Sequence, residues 1–189
     1  MLITFLKNEV IYSFMSLKKA IQTSKYGFLP RRYVPITDDE LDFLSELAVE
    51  HKQRSIPIRF NHHLHVRRLL DDGKASWGCR PVVDDVSSII MADDLRDRYL
   101  ELTGQLKEIQ FNYMGPNDSI SPHIDLSGEV SLGCVLGLTN DYRGGHFHFT
   151  YGPMIRIGRG DLLLIKPPRE HRVYPVTSGE RITLAYWFY

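Results

Sequence analysis

The sequence lacks the features that mark several large classes of protein. Its two cysteines in 189 residues form no disulfide framework, so nothing indicates an oxidising compartment. No apolar run approaches the roughly 20 residues that a transmembrane helix needs. Basic and acidic residues balance at 23 each, so net charge provides no general attraction to nucleic acid or to an anionic membrane.

The first residues, MLITFLKNEVIYSF, do not resemble a signal peptide. Lys7 and Glu9 interrupt the apolar stretch, and no cleavage site of small residues follows. Together with the missing membrane segment and disulfide framework, this predicts a soluble protein of the cytoplasm with no membrane partner.

Length and composition predict one globular domain over residues 1–189. Hydrophobic residues make up 43% of the chain and charged residues 24%, both ordinary proportions for a globular protein. A chain of this length can bury a sizeable core without disulfides. The pattern changes near residue 105, so we expect a mixed helix and strand support and substrate wall over 1–105 and a catalytic core over 106–189.

The N-terminal part predicts helices around a short strand region. ITDDELDFLSELAVEHKQ has an acidic first turn, apolar residues at helical spacing and a basic end. The same reasoning predicts a helix in SIIMADDLRDRYLELTGQ and a third in MSLKKAIQTS. The segment between the first two, RSIPIRFNHHLHVRRLLDDGKASWGCRPVV, has the alternation and turn residues of strands and loops.

The C-terminal part consists of short apolar strands separated by turns. About eight strands are predicted, in the segments LKEIQFNYM, SPHIDL, EVSLGCVLGLT, GGHFHFT, MIRIGR, DLLLIKP, HRVYPV and RITLAYWFY. Their close spacing is typical of a sandwich, barrel or jelly roll. The predicted fold class is therefore mostly β, a double-stranded β-helix (jelly roll) core buttressed by N-terminal helices.

Two polar residues, His123 and Asp125, stand two apart in the predicted strand SPHIDL. Alternate residues of a strand project to one face, so an imidazole nitrogen and a carboxylate oxygen converge there. Two histidines and one carboxylate on one face of an octahedron can hold non-haem Fe(II) and leave three positions open. By itself such a pair is more typical of a solvent-facing stripe, so the assignment depends on a third ligand.

His171 is the candidate third ligand, because it opens a strand directly after the apolar segment DLLLIKP. Arg181 follows at the start of a core strand, where a buried guanidinium is costly unless it is paired. The adjacent Glu180 is expected to point the other way. A dicarboxylate ligand would satisfy Arg181, with Thr183 and Tyr113 as candidate supporting donors.

Most of the remaining histidines are not expected to bind metal. His51 ends the first helix, where a basic residue suits the helix dipole. The histidines of FNHHLH are interpreted as a polar surface facing substrate. Those of GGHFHF alternate with Phe147 and Phe149, and the two phenylalanines are the better candidates for the core. The histidines whose roles stay open are His62, His63, His65, His146 and His148.

With these residues the C-terminal half resembles the Fe(II)/2-oxoglutarate-dependent dioxygenases. The resemblance is closer to their prolyl 4-hydroxylase-like branch. The segments that carry the resemblance follow the family's order and spacing: FNYMGPNDSISPHID, VLGLTNDYRGGHFHF, IGRGDLLLIKP and HRVYPVTSGERITLAYWF. The N-terminal half carries no comparable match. Many relatives have Glu where this chain has His146, which affects only local contacts near that hairpin.

The resemblance implies a cofactor, co-substrates and a reaction. It assigns Fe(II) to His123, Asp125 and His171, and 2-oxoglutarate to Arg181, Thr183 and Tyr113. Dioxygen is the second co-substrate. The expected reaction hydroxylates an unactivated C–H of an amino-acid substrate, free or peptidyl and possibly proline-like, and releases succinate and CO2. Halogenating relatives have Gly or Ala at the carboxylate position, so Asp125 favours hydroxylation.

Two alternatives stay open from the sequence alone. One is an oxidative demethylase of the same superfamily that acts on nucleic acid or another small molecule, which the basic stretches LPRRY and HVRRLL favour. The zero net charge argues against nucleic acid as a partner. The other is a non-catalytic jelly-roll binding module, which would leave Arg181 and Thr183 unexplained. The expected partner is a small-molecule or peptide substrate, and the sequence does not determine its identity or the oligomeric state.

Overall fold

The structure, a computed structural model, describes residues 27–58, 61–69, 75–76, 86–90, 106–125, 130–166 and 168–188. One long helix, α1, spans Asp38–His51, and short 3-10 helices span Arg31–Tyr33 and Lys52–Arg54. Strands β1 to β7 are Phe28–Leu29, Ile56–Ile58, Asn61–Leu69, Ala75–Ser76, Leu106–Met114, Ile120–His123 and Leu132–Gly137. Strands β8 to β14 are Tyr142–Gly144, Phe147–Phe149, Met154–Ile155, Leu162–Ile165, His171–Val173, Val176–Gly179 and Arg181–Phe188.

Helix α1 begins with a capping box. The Thr37 hydroxyl accepts a hydrogen bond from the Glu40 backbone N–H at 3.2 Å, and the Glu40 carboxylate accepts one from the Thr37 N–H at 2.7 Å. Both bonds satisfy backbone donors that a helix start leaves unpaired. The helix buries one apolar stripe, Leu41, Leu44, Leu47 and Ala48, and His51 lies in its last turn. The helix predicted in ITDDELDFLSELAVEHKQ is confirmed.

Two sheets form the core. The large sheet has the strand order β1-β11-β7-β14-β5-β3-β2, with β4 beside β3. The smaller sheet has the order β10-β9-β12-β6, and β13 pairs separately with β8. Buried side chains of both sheets, among them Met114, Leu163, Phe147 and Val173, form one apolar cluster. The mostly β, jelly-roll fold class is confirmed by this arrangement and by the structural likenesses reported below.

The large sheet is covered on its other face by α1. Strands β5 and β14 run antiparallel as neighbours over their whole length, from Arg181 opposite Met114 to Phe188 opposite Leu106. Alternate residues of each strand face opposite sides of the sheet. Those that pack in the cluster with α1 are Ile109, Phe111 and Tyr113 of β5 and Ile182, Leu184, Tyr186 and Phe188 of β14. The residues of β5 and β14 that alternate with these face the smaller sheet.

The strand limits differ from the sequence prediction in two informative places. β6 ends at His123, so Asp125 lies just beyond the strand rather than within it. The segment HRVYPV does not form one strand, because β12 ends at Val173 and β13 begins at Val176 on a different sheet. Pro175 separates the two and has no N–H to continue a ladder.

The N-terminal predictions are only partly within the described residues. The strand region yields β2, β3 and β4, and β3 pairs with β5 so that His63 lies opposite Asn112. Residues 86–90 are helical at the start of the second predicted helix, and the remainder of that helix and the whole of MSLKKAIQTS lie outside the described residues. No helix in the described part of the chain has the length and hydropathy required to cross a bilayer. The division at residue 105 stays a prediction.

Candidate active site

A cavity of about 370 Å³ opens between the two sheets. Its walls come from β5, β7, β11 and β14 of the large sheet and from β6, β9 and β12 of the smaller one. The polar or ionisable side chains in these walls are Gln110, Asn112, Ser119, Ser121, His123, Asp125, Cys134, His171, Arg181, Thr183 and Trp187. The cavity therefore combines ionisable groups with an otherwise apolar lining.

Three of these groups converge at one point of the cavity wall. β12 pairs with β6 so that His171 lies directly opposite His123. The Asp125 Oδ1 atom lies 3.6 Å from Nε2 of His123 and 3.7 Å from Nε2 of His171. One ligand atom from each of the three residues lies within 4.8 Å of the others. No other such group of three or more His, Cys, Asp or Glu residues occurs in the described part of the chain.

Both imidazole rings are held with Nε2 toward the convergence point. Nδ1 of His123 lies 2.9 Å from the Ser121 carbonyl oxygen, and Nδ1 of His171 lies 2.9 Å from the Arg169 carbonyl oxygen. A carbonyl oxygen only accepts, so each Nδ1 carries the proton. In the neutral ring this leaves a lone pair on Nε2. Backbone acceptors fix the tautomer and the orientation of metal-binding histidines in the same way.

The Asp125 carboxylate is ionised because of its neighbours. Burial opposes ionisation, but the nearby imidazoles of His123 and His171 and the Trp187 indole lower the pKa of Asp125 below its usual value. Gly133 provides the space for this arrangement. A Cβ there would lie 3.1 Å from Asp125 Oδ2 and 3.3 Å from Trp187 Nε1.

His171 is the most enclosed of the three groups. Its side chain is 5% exposed, compared with 40% for His123. Phe147 stacks on its ring at 4.9 Å between centroids, and Phe149 meets it edge-on at 6.3 Å. Burial lowers the pKa of His171, whereas the hydrogen bond with Asp125 raises the pKa of His123.

The prediction that the phenylalanines of GGHFHF face the core is confirmed. Phe147 and Phe149 are 3% and 4% exposed. His148 lies on the other face of β9, with its ring 5.6 Å from that of Tyr174. Neither His146 nor His148 joins the three converging groups. The side chains of the FNHHLH histidines lie outside the described part of the structure.

Arg181 lies in the same cavity with its charge uncompensated. It is 2% exposed, its Nε has no hydrogen-bond partner, and Nη1 lies 3.4 Å from Thr183 Oγ1 and 3.6 Å from Met114 Sδ. In the described part of the chain no carboxylate forms a salt bridge with it. Burial lowers the pKa of Arg181, and Tyr142 beside it opposes that shift.

The neighbouring acid is used elsewhere, as predicted. The Glu180 carboxylate pairs with Lys52 at 2.5 Å, at the end of the helical segment. Gly145 gives Arg181 its space, because a Cβ there would lie 3.0 Å from Arg181 Cδ, and its φ of 59° is unfavourable for other residues. Thr183, 1% exposed, lines the cavity beside Arg181 as predicted.

Tyr113 does not lie in the cavity, which contradicts its predicted role as a donor to 2-oxoglutarate. Its hydroxyl donates a hydrogen bond to the Ala48 carbonyl of α1 at 2.7 Å. Burial and the nearby Glu180 raise its pKa. The physical reason is the two-residue period of β5, which turns Tyr113 toward the helix and its neighbour Asn112 toward the cavity.

Three of the cavity residues that sequence reasoning missed lie on β5 and β14. Gln110 and Asn112 alternate with apolar residues in β5, a polar pattern that could have indicated a cavity-facing side. Trp187 stands in the recognised ending AYWF, but nothing in the sequence indicates its contact with Asp125. That contact depends on β7 and β14 being adjacent, with Gly133 directly opposite Trp187.

The donor set of the cavity fits a divalent transition-metal ion. Two ligand atoms that each lie about 2.1 Å from one ion are at most about 4.2 Å apart, and both Asp125–histidine distances are shorter than this. Two imidazoles and a carboxylate on one side suit Fe(II). The buried, unpaired Arg181 fits an anionic co-substrate in the same cavity.

Residues 109–189 match the family model described as the 2OG-Fe(II) oxygenase superfamily. The match covers fewer than half of the residues of the chain, so it shows a likeness of this segment to the 2OG-Fe(II) oxygenase superfamily. The cofactor of this superfamily is Fe(II), and its co-substrates are 2-oxoglutarate and dioxygen. Among curated proteins, none matches the chain.

Solved structures show where this oxygenase fold occurs. A 2OG-Fe(II) oxygenase family oxidoreductase from Burkholderia pseudomallei superposes with a TM-score of 0.72 at 15% identity, covering 93% of this chain and 89% of that one. A Pseudomonas putida prolyl-4-hydroxylase gives 0.61 at 18%, covering 93% and 97%. A Trichoplax adhaerens prolyl hydroxylase, in complex with a hypoxia inducible factor peptide fragment, gives 0.64 at 12%, covering 98% and 92%. At these identities the likeness establishes the shared fold.

Proposed function

We propose that this oxygenase hydroxylates an unactivated C–H bond of an amino-acid side chain, in a free amino acid or within a peptide, and releases succinate and CO2. In this proposal His123, Asp125 and His171 hold Fe(II). Arg181, with Thr183 beside it, holds the distal carboxylate of 2-oxoglutarate. The observation that carries the proposal is the presence, in one cavity, of two imidazoles with a carboxylate and of a buried cation that forms no salt bridge with any described carboxylate.

When bound, Fe(II) together with 2-oxoglutarate and dioxygen supplies the oxidising chemistry. The residues of the chain position and shield these groups. Phe147 and Phe149 enclose His171, and the carbonyl oxygens of Ser121 and Arg169 hold the Nε2 atoms toward the cavity. The Trp187 indole and Asp125 Oδ2 lie beside each other at Gly133, and Oδ1 faces the two histidines.

Asp125 favours hydroxylation over halogenation. A carboxylate occupies one coordination position that a chloride ion would otherwise need. Its lowered pKa keeps it anionic, and the Trp187 indole lies beside it. Both effects support a site committed to the transfer of oxygen.

The amino-acid substrate is proposed from the fold likeness. Two of the superposed structures are prolyl hydroxylases, and one of them is in complex with a peptide. The cavity of about 370 Å³ has room for a side chain beside a small dicarboxylate. A proline-like side chain is the first candidate.

A nucleic-acid substrate is less well supported by the structure. Arg31, in the basic stretch LPRRY, donates hydrogen bonds to the Val34 carbonyl at 3.0 Å and to Asp38 at 2.8 Å. Arg32 lies over the Tyr33 ring, 4.8 Å from its centroid. Both arginines therefore contact other residues of the same chain. The side chains of HVRRLL lie outside the described residues.

Two measurements test the proposal. Anaerobic titration with Fe(II) and 2-oxoglutarate should develop a visible charge-transfer band that requires both, whereas a non-catalytic binding module would give none. Succinate release across free amino acids and short proline-containing peptides should then identify a substrate that stimulates turnover. Absence of the band would contradict the enzyme assignment. A band with turnover only on methylated nucleic acid would support the demethylase alternative.

A further inference from the structure

The side-chain amide of Asn112 is buried in the cavity wall and has no role in the proposed function. Asn112 is 6% exposed, and with Gln110 it lines the cavity on the face of β5 opposite Tyr113. A buried amide costs free energy unless its donors and acceptor are paired. Its place in the cavity wall, directly opposite Thr183 in the sheet, brings the amide group next to the space that a ligand would occupy.

The orientation of the Asn112 amide follows from Gln110. The Gln110 side-chain nitrogen donates a hydrogen bond to the Asn112 carbonyl oxygen. This assigns the amide nitrogen of Asn112, with its two N–H donors, to the other side of the group.

Asn112 lies at the arginine end of the cavity. It is directly opposite Thr183 in the β5–β14 pairing, and Gln110 is opposite Ala185. Arg181 and Thr183 project from β14 on the same side of the sheet, and their side chains touch. Trp187 and the Asp125 carboxylate lie toward the opposite end of β14. Cationic and neutral hydrogen-bond donors thus line one end of the cavity, and the metal-binding groups line the other end.

We propose that Asn112 is a 2-oxoglutarate specificity residue, whose amide N–H donates to the distal carboxylate of the co-substrate beside Arg181. Gln110 acts through Asn112 as a positioning residue that fixes the amide orientation. This inference rests on the proposed function, because it requires 2-oxoglutarate in this cavity. A carboxylate held by Arg181 has lone pairs left over, and an adjacent neutral donor satisfies them without adding charge.

The test measures ligand affinity without turnover. The dissociation constant of 2-oxoglutarate is determined anaerobically with Fe(II)-loaded protein, by calorimetry and by the charge-transfer band, for the wild type, Asn112→Leu and Asn112→Asp. Asn112→Leu should weaken binding about 10-fold, as expected for one hydrogen bond to a charged group. Asn112→Asp keeps the size of the side chain and should weaken binding further, because its carboxylate repels that of the ligand.

A second ligand separates the proposed contact from a general effect on the site. 2-Oxohexanoate has an ethyl group in place of the distal carboxylate, so its affinity should be the same in all three proteins. Gln110→Leu should weaken 2-oxoglutarate binding less than Asn112→Leu does, and it should also spare 2-oxohexanoate.

The possible failures are distinguishable. If wild-type protein binds Fe(II) but not 2-oxoglutarate, the proposed function fails. If wild-type protein binds 2-oxoglutarate and both Asn112 variants bind it equally well, only the role of Asn112 is overturned. Equal losses for 2-oxoglutarate and 2-oxohexanoate would also overturn that role. If Asn112→Leu does not fold, the size-matched Asn112→Asp decides the outcome by itself.

Discussion

His123 and His171 are direct partners across the antiparallel strands β6 and β12, with their ring centroids 4.3 Å apart. The pairing joins two distant segments of the chain and places Nε2 of each ring within 3.7 Å of the Asp125 carboxylate. A ladder of backbone hydrogen bonds thus sets the spacing of the two histidines, and Asp125 follows just beyond the end of β6.

Replacing the carboxylate should abolish metal-dependent hydroxylation. Asp125→Gly removes one of three proposed ligands, so we expect Fe(II) affinity to fall more than the roughly 10- to 100-fold that loss of an outer partner costs. Coupled succinate release should disappear. Fe(II) affinity and succinate formation are the measurements, with Asp118→Gly, outside the cavity, as a comparison. Full retained activity in Asp125→Gly would refute the ligand assignment.

The indole of Trp187 should strengthen metal binding although it is not a ligand. Trp187→Phe keeps an aromatic ring but removes the indole N–H, which lies beside the Asp125 carboxylate and lowers its pKa. We expect Fe(II) affinity to fall about 10- to 100-fold, with little change in unfolding temperature. Tyr151→Phe, at a side chain 96% exposed, should leave Fe(II) affinity unchanged. Unchanged affinity in Trp187→Phe would show that Asp125 is held by other contacts.

The buried charge of Arg181 should lower the stability of the ligand-free protein, and binding of 2-oxoglutarate should offset that loss. Arg181→Met removes a buried charge that has no acidic partner, so we expect its ligand-free unfolding temperature to equal or exceed that of the wild type. The wild type at 2-oxoglutarate concentrations 100 times Kd should gain about 2.7 kcal/mol, and the variant should gain nothing. Thermal unfolding with and without 2-oxoglutarate measures both effects. A destabilised variant that still responds to the ligand would contradict this role.

Gly145 should be required for both the turn and the position of Arg181. Gly145→Ala forces a positive φ on alanine and brings its Cβ to 3.0 Å from Arg181 Cδ and Val176 Cγ2. We expect a loss of about 1–3 kcal/mol in the free energy of unfolding and weaker 2-oxoglutarate binding. Gly115→Ala is the matched control, because its nearest atom would be Asp118 Oδ2 at 3.7 Å. Equal effects of the two substitutions would argue against a special role for Gly145.

The cap of α1 should contribute to stability without affecting the site. Thr37→Ala removes the hydroxyl that accepts from the Glu40 N–H, at an expected cost of about 1 kcal/mol. Urea unfolding measures the cost, and the 2-oxoglutarate affinity of the folded protein should not change. A change in affinity would reveal coupling between the helix and the cavity.

Much of the core could be predicted because its signals are local. Helix α1 has its cap, its acidic first turn and its apolar stripe within one short segment. LKEIQFNYM coincides with β5, and RITLAYWFY contains the whole of β14. The chemistry of the candidate site was equally visible, because a carboxylate and an imidazole two residues apart and a lone arginine in an apolar strand are unusual wherever they fold.

The face on which each strand residue lies could not be predicted in the same way. β5 and β14 are both covered on two sides, by α1 on one and by the smaller sheet on the other, and β14 lacks the alternation of a half-exposed strand. In β5 Gln110 and Asn112 do alternate with apolar residues, but Tyr113 was expected in the cavity and Asn112 was missed. A shift of one residue in a strand exchanges its two faces.

The sequence by itself determined the jelly-roll class, helix α1 and the set of residues able to bind a metal and an anion, because each depends on residue type and short spacing. Only the tertiary structure decided that His123 meets His171, that Trp187 reaches Asp125 past Gly133, and that Asn112 rather than Tyr113 accompanies Arg181. The physical reason is that these contacts depend on strand register and on which layer covers each face of the sheet. Both follow from pairings between segments that are distant in the chain.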